Sequence, residues 1–416
     1  MIAMAPLIYF CTMPLDLYSQ SFKNVPTNPI TKELLQKYQV LIKKIKAKEL
    51  AMIDIIFNEN DLQAFEKLAQ KISKYKKVLV LGVGGSSLGG KTLTSLKFQN
   101  KLQFLESIDP ETVSNALAEI DFQNTFFLVI SKSGETIETI CQTLILLDRL
   151  QQEKIPHLAQ QFLFITESNQ NSIAKIAQEI GAEIFPHPQN IGGRYSCFSV
   201  VGLLPALLCG TNATKIRLGA QKILAHFLEN ENNEILKSCE IQLDLYRQGF
   251  NSNVVMPYID SLKNFTDWYR QLWAESLGKH HFGATPINSM GTVDQHSQLQ
   301  LYLDGPKNKF FTFFTQKNHP HNFDIKDQKN CLTLFGGKKL TDIVEIEQST
   351  TIEVLNQQKL PIRIFSINQL DEEVLGALMM QMFLEVILIA EYKGINPFDQ
   401  PAVELRKELA KKILQK

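Results

Sequence analysis

Several short segments of this sequence carry titratable side chains in patterns that suit acid/base chemistry on an anionic substrate. Tyr269 to Lys279 reads as a helix in which Gln271 and Glu275, four residues apart, share a face. Leu262, Phe265, Leu272 and Trp273 are spaced to pack that helix down, and Glu275 stands near its end, just before Gly278. Burial and the negative end of the helix dipole would both raise a carboxylate's pKa there, toward that of a working general base. The ordinary alternative is a solvated surface glutamate. Gly192, Gly193 and Arg194 precede an apolar helical run. Glycines let the backbone approach a ligand closely, and an arginine supplies a charge that could hold a developing enediolate oxygen. A structural arginine at a helix start is the competing reading.

Ser131-Lys132-Ser133-Gly134-Glu135-Thr136 follows an apolar run and opens a helix, so Ser131, Lys132, Ser133 and Thr136 bring hydroxyls and an ammonium to a helix N-terminus. Those groups suit a phosphate dianion, although a plain capping turn has the same composition. Glu135 would repel that anion, and is expected to turn away or to bind a sugar hydroxyl. His296 lies in the polar patch Gly291 to Gln298. Imidazole exchanges protons near neutral pH, as opening a sugar ring requires; a histidine held for structure is the alternative. Gln400 and Lys407 stand two helical turns apart on one face, or are simply solvated residues of a terminal helix. No metal is expected, because the pairs His280/His281 and His319/His321 lack a matching carboxylate motif.

Gly85-Ser-Ser-Leu-Gly-Gly90-Lys91-Thr92 matches the pattern of a nucleotide-phosphate loop after a strand, which makes a nucleotide hydrolase the main rival. Such an enzyme also needs a magnesium-organising aspartate at the end of another apolar strand. Here the runs Phe126 to Ile130 and Phe162 to Ile165 end in Ser131 and Thr166, and Asp260 follows Val254 to Ile259, a run with Pro257 inside it. A dinucleotide loop from Gly82 fails at its third glycine, where Ser87 stands. A glycine-rich turn with Ser86 at a helix start, able to offer N–H groups to an anion or a hydroxyl, is what survives. A bare strand-to-helix turn remains its alternative.

These loops need strands to present them. Val78 to Leu81, Phe126 to Ile130 and Phe162 to Ile165 are β-branched or aromatic runs, each followed by a helical pattern such as Thr136 to Leu150 or Asn171 to Ile180. The alternation predicts βαβ units and a mainly parallel sheet. Val254 to Met256, Phe310 to Phe314 and Ile362 to Ser366 repeat it. The expected fold class is therefore α/β in two domains, 1–211 and 212–416, the second starting with a helical stretch, Asn212 to Gly249. A C-terminal helix starts near Asp399, with Pro401 at its first position. A chain of 416 residues is too long for one comfortable core.

Lys plus Arg and Asp plus Glu balance at 43 each, so no field draws the molecule to nucleic acid or anionic lipid. Six scattered cysteines without a CxxC pair fit a reducing compartment. The apolar stretch Met1 to Met13 lacks a basic start and is broken by prolines, so no signal peptide is expected. Phe198 to Cys209 and Ala377 to Ala390 are interrupted by Pro205, and by Gln381 and Glu385, and no membrane span is expected either.

Together the motifs, in order from about Val78 to Lys407, resemble the glucose-6-phosphate isomerase family in its compact bacterial form. Gly192-Gly193-Arg194 and Phe398-Asp399-Gln400-Pro401-Ala402-Val403-Glu404-Leu405-Arg406-Lys407 carry its most specific signatures. The resemblance implies two sugar-isomerase-type (SIS) domains, a cytoplasmic homodimer, and isomerisation of an aldose and a ketose phosphate through an enediolate, without cofactor or metal. It implies that Glu275 is the base moving a proton between C1 and C2, and that His296, supplied across the dimer interface, opens the ring with Lys407. Ser131, Lys132, Ser133, Thr136 and Gln400 fall on its phosphate-binding positions, Ser86 and Gln271 on sugar contacts, and Gly193 with Arg194 on the enediolate. Leu277, where a polar residue is usual, and Pro401 and Arg406 depart from the pattern and bear on substrate preference. A non-catalytic sugar-phosphate sensor is a further rival, one that would not need Glu275, His296 and Lys407.

Overall fold

The computed structural model describes residues 9–11, 17–98, 100–231, 233–326 and 334–414. Most of the Met1 to Met13 stretch, and Cys331, lie outside the described residues. Two strands come first, β1 (Tyr9–Cys11) and β2 (Tyr18–Lys23). Then follow β3 (Lys77–Leu81), β4 (Leu102–Leu105), β5 (Thr125–Ile130), β6 (Phe162–Thr166) and β7 (Glu183–Pro186). Four more complete the set: β8 (Ser252–Pro257), β9 (Thr285–Asn288), β10 (Lys309–Gln316) and β11 (Ile362–Ile367).

The chain divides into two compact units. One is Lys44–Gln221; the other joins the described residues up to Lys43 to those from Lys222 onward. This differs from a break at 211/212 with the N-terminal segment in the first domain. The segment belongs with the later unit because β2 pairs antiparallel with β11, from Tyr18 against Ile367 to Lys23 against Ile362.

In Lys44–Gln221 the sheet order is β4-β3-β5-β6-β7, with every neighbouring pair parallel. The central strands β5 and β6 are buried along their whole length, as expected of a parallel sheet covered on both faces. Phe127, Phe162 and Phe164 pack ring against ring in the core. All five strands point their C-terminal ends the same way, and the loops that leave β3 and β5 there begin at Gly82 and Ser131. That edge of an open α/β sheet is where ligands bind.

The other unit has the order β1-β2-β11-β10-β8-β9, antiparallel at the β1 and β2 end and parallel elsewhere. Its core helix, Glu372–Lys393, is long and apolar enough to cross a membrane, yet 94% of its most apolar window is buried within the chain. The two residues that interrupt its apolar run anchor a buried polar network: Gln381 Nε2 donates to Glu385 Oε1 at 2.8 Å, and Arg363 on β11 pairs with the same carboxylate. Tyr18 and Gln20 on β2 join it at 2.6 and 2.8 Å. A charge sealed in a core needs such partners. The stretch after Asn212 forms two helices, Ala213–Glu229 and Glu234–Arg247, and the C-terminal helix is Pro401–Leu414.

Candidate active site

Within Lys44–Gln221, β3 leads into a tight turn, Gly84–Ser86, that lies against a second turn, Gly193–Phe198. Ser196 fastens the pair, its Oγ donating to Gly193 O at 2.7 Å and Gly85 O at 3.2 Å. Arg194 is 3% exposed, with its guanidinium carbon 5.5 Å from the Tyr195 ring centre. The structure thus brings Ser86, Gly193 and Arg194 into one pair of turns.

The nucleotide-loop pattern is not used as one. The helix Leu88–Thr94 begins early, so Gly90, Lys91 and Thr92 lie inside it. Lys91 Nζ pairs with Glu106 Oε2 at 2.6 Å, and Thr92 Oγ1 donates to Leu88 O at 2.8 Å. The lysine that would reach a nucleotide's phosphates is committed to a carboxylate.

Ser131 closes β5, its N–H donating to Ile165 O at 3.0 Å and its Oγ to Thr136 Oγ1 at 3.0 Å. Gly134 has φ +67, and a Cβ there would lie 2.0 Å from Asn171 Cγ, so only glycine fits the turn. Thr136 precedes the helix Ile137–Gln152, and its side chain makes no capping hydrogen bond to it. A helix N-terminus can offer N–H groups and a positive dipole end to an anion. Glu135 turns away: its two carboxylate oxygens accept from Ser172 N and Ser172 Oγ, both at 2.9 Å, at the start of the next helix. Lys132 stays partly exposed, 3.9 Å from Glu167 Oε2, and Ser133 is exposed.

One residue of this neighbourhood was not singled out from the sequence. His187 follows β7, and its N–H donates to Thr166 O at 2.9 Å. Its Nδ1 lies 3.0 Å from Pro188 O, and its buried Nε2 has no hydrogen-bond partner among the described residues. Burial, reinforced by the charge of Lys132, pushes its pKa down to about 4. The available signal was a histidine between Pro186 and Pro188 at a strand end.

In the other unit, the helix Lys263–Leu277 buries Phe265, Leu272 and Trp273 and carries Glu275 half-buried in its last turn. Gln271 Nε2 donates to Glu275 Oε1 at 3.1 Å, so these two residues meet as their spacing predicts. Leu277 is fully buried in the core. His296 is exposed at the end of the turn Val293–Gln295. The turn is held from both sides. Asp294 accepts from Met290 N at 2.6 Å and Ser297 Oγ at 2.8 Å, while Gln295 accepts from Tyr258 OH at 2.7 Å. On the C-terminal helix, Gln400 and Lys407 both donate to Glu404 Oε1, at 3.5 and 2.7 Å. The hydrogen bond from Lys407 holds the Glu404 carboxyl below its usual range. Among the described residues, no group of three or more His, Cys, Asp or Glu side chains is arranged to hold a metal.

The chain is similar in sequence and fold to known proteins. The profile of the family described as Phosphoglucose isomerase matches residues 57–416. A glucose-6-phosphate isomerase of Methanocaldococcus jannaschii is 33% identical over 389 residues, covering 91% of this chain and 93% of that protein. One from Carboxydothermus hydrogenoformans is 33% identical over 384 residues, covering 86% and 82%. Among solved structures, a glucose-6-phosphate isomerase from Chlamydia trachomatis superposes with a TM-score of 0.81 at 20% identity, covering 96% of this chain and 89% of that one.

Proposed function

We infer the work of individual residues from one premise: this chain belongs to the phosphoglucose isomerase family. Its reaction is the reversible isomerisation of glucose 6-phosphate and fructose 6-phosphate, a step of glycolysis and gluconeogenesis. In that reaction the Glu275 carboxylate takes the proton from C2 of the open-chain aldose, leaving an enediolate; a proton passes from O2 to O1, and Glu275 returns its own proton to C1. Arg194, with the Gly193 backbone beside it, stabilises the enediolate oxygen, a buried charge acting where little water screens it. Ser131, Lys132, Ser133 and Thr136 anchor the phosphate at the start of the helix Ile137–Gln152, with Gln400 as a further donor. Ser86 and Gln271 meet sugar hydroxyls, while His296 and Lys407 exchange the protons of ring opening. No step requires a metal or a redox cofactor.

The observation that carries this reading is the Gln271 and Glu275 pair, because a donor held on one carboxylate oxygen fixes the group's aim for proton transfer. The enzyme works in the cytoplasm as a homodimer in which His296 serves its partner's substrate. Support for the dimer comes from the exposed His296 and its neighbours Val293 and Leu301, 68% and 50% exposed. Purified protein given fructose 6-phosphate with EDTA present should form glucose 6-phosphate. Glu275→Gln should fold with an unchanged melting temperature and lose about 10²–10⁴ in kcat. A Glu275→Gln enzyme with parent-like turnover removes the proposed base.

A further inference from the structure

Glu275 and the pair Gln400 and Lys407 lie on two helices of one unit, more than 120 residues apart in sequence, and a lysine side chain ties the ends of those helices together. Gly278 lets the chain turn back over the helix Lys263–Leu277: a Cβ there would sit 2.5 Å from Ala274 O. The next residue, Lys279, is thereby aimed at the loop that launches the helix Pro401–Leu414. Its Nζ donates to Asp399 O and Asp399 Oδ1, both at 2.7 Å, and to Asn396 O. An ammonium has three protons, and all three are taken by this one loop. The loop is itself braced, Asn396 Nδ2 donating to Asp399 Oδ2 at 3.0 Å and Phe398 N to Asn396 Oδ1 at 3.0 Å. Lys279 is only 10% exposed, so these charge-assisted bonds are shielded from solvent on the lysine side. The helix beyond the loop buries none of its own residues, so its placement depends heavily on how its first turn is held.

We propose that Lys279 is a positioning residue for the isomerase reaction, a clamp that fixes Gln400 and Lys407 relative to the helix carrying Gln271 and Glu275. This rests on the roles proposed above for those residues. Lys279 touches no reacting atom; it acts by setting where the C-terminal helix starts. An ångström of drift in that helix would misplace both the phosphate donor and the ring-opening ammonium, and misplacement of that size costs up to about 10²-fold in rate.

The test uses the full-length enzyme with Lys279→Met, Lys279→Arg, Asp399→Asn and the double variant Lys279→Met with Asp399→Asn. The measurements are kcat, KM for fructose 6-phosphate, and amide hydrogen exchange. Lys279→Met should lower kcat/KM at least about tenfold. It should also speed exchange in residues 400–407 while leaving 263–277 at the parent rate. Lys279→Arg should recover part of the loss, and the double variant should be no worse than Lys279→Met. Should Lys279→Met fail to fold, Asp399→Asn, whose side chain is half exposed, carries the same test at smaller amplitude. Parent-like kcat/KM, unchanged exchange at 400–407, or losses that multiply in the double variant would each overturn the clamp. Lys407→Met separates the two readings: if it is fully active while Lys279→Met still loosens 400–407, the clamp stands and the role of Lys407 falls.

Discussion

Gly85 lies against Gly193 so closely that a Cβ on Gly85 would sit 2.2 Å from the Gly193 carbonyl carbon. The obstacle is backbone, which cannot swing aside as a side chain would. Gly85→Ala should therefore force the two turns apart, costing about 1–3 kcal/mol of stability together with activity. The reverse substitution is different. A Cβ on Gly193 meets Gly85 Cα at 3.4 Å, an ordinary contact, so Gly193→Ala should melt within a few degrees of the parent. Any fall in its turnover would then report on the approach of substrate to that backbone. Equal melting temperatures for parent and Gly85→Ala would show that the turns are not locked as described.

Which parts of this arrangement could be read from sequence depended on how local the determinant was. β5 is an unbroken run, Thr-Phe-Phe-Leu-Val-Ile, and the polar loop after it begins at the next residue, so strand and loop were both legible. The Glu275 helix was legible because Phe265, Leu272 and Trp273 mark its buried face. β2 was not: it reads Tyr-Ser-Gln-Ser-Phe-Lys, and its buried Gln20 makes sense only through Arg363 and Gln381, 343 and 361 residues away. The direction of Glu135 likewise waited on Ser172, and the neutrality of His187 on burial that no spacing reveals. The nucleotide-loop pattern could be set aside from sequence for want of a magnesium aspartate, but what holds Lys91 could not be read there, since Glu106 lies outside the motif.

Lys132 and Arg194 should fail in different ways. Lys132 is partly exposed on the loop before the helix Ile137–Gln152, where it can meet a phosphate in the ground state and the transition state alike. Lys132→Ala should raise KM for fructose 6-phosphate about 10- to 100-fold with little change in kcat, the loss of one charged hydrogen bond. Arg194 is buried and suited to charge that appears only during reaction. Arg194→Ala should lower kcat about 10²–10³-fold. Steady-state kinetics on the two variants decide it, and an Arg194→Ala defect confined to KM would refute its role.

If His296 serves the partner's substrate, two dead enzymes should revive each other. Glu275→Gln and His296→Ala, each nearly inactive alone, would form hybrids in which one site carries both lesions and the other carries none. Equal mixing with subunit exchange should restore about a quarter of parental activity. Light scattering should report a dimer throughout. A mixture no more active than its components, with exchange demonstrated, would place His296 and Glu275 in the same subunit's site.

His187 makes a prediction about pH. Its folded pKa of about 4 lies below the ordinary value of 6.5, so the folded state resists the proton that the unfolded chain accepts. Above pH 6.5 both states are neutral at this residue and it contributes no slope. As pH falls toward 4 the unfolded state binds the proton first, and stability is lost; below that both states are charged and the loss levels off. The full difference is about 3 kcal/mol. His187→Gln removes the titrating group, so urea denaturation of parent and variant between pH 7.5 and 4 should give two curves that differ in slope only inside that window. Curves that run parallel through it would mean that His187 takes up its proton in the folded enzyme at an ordinary pH.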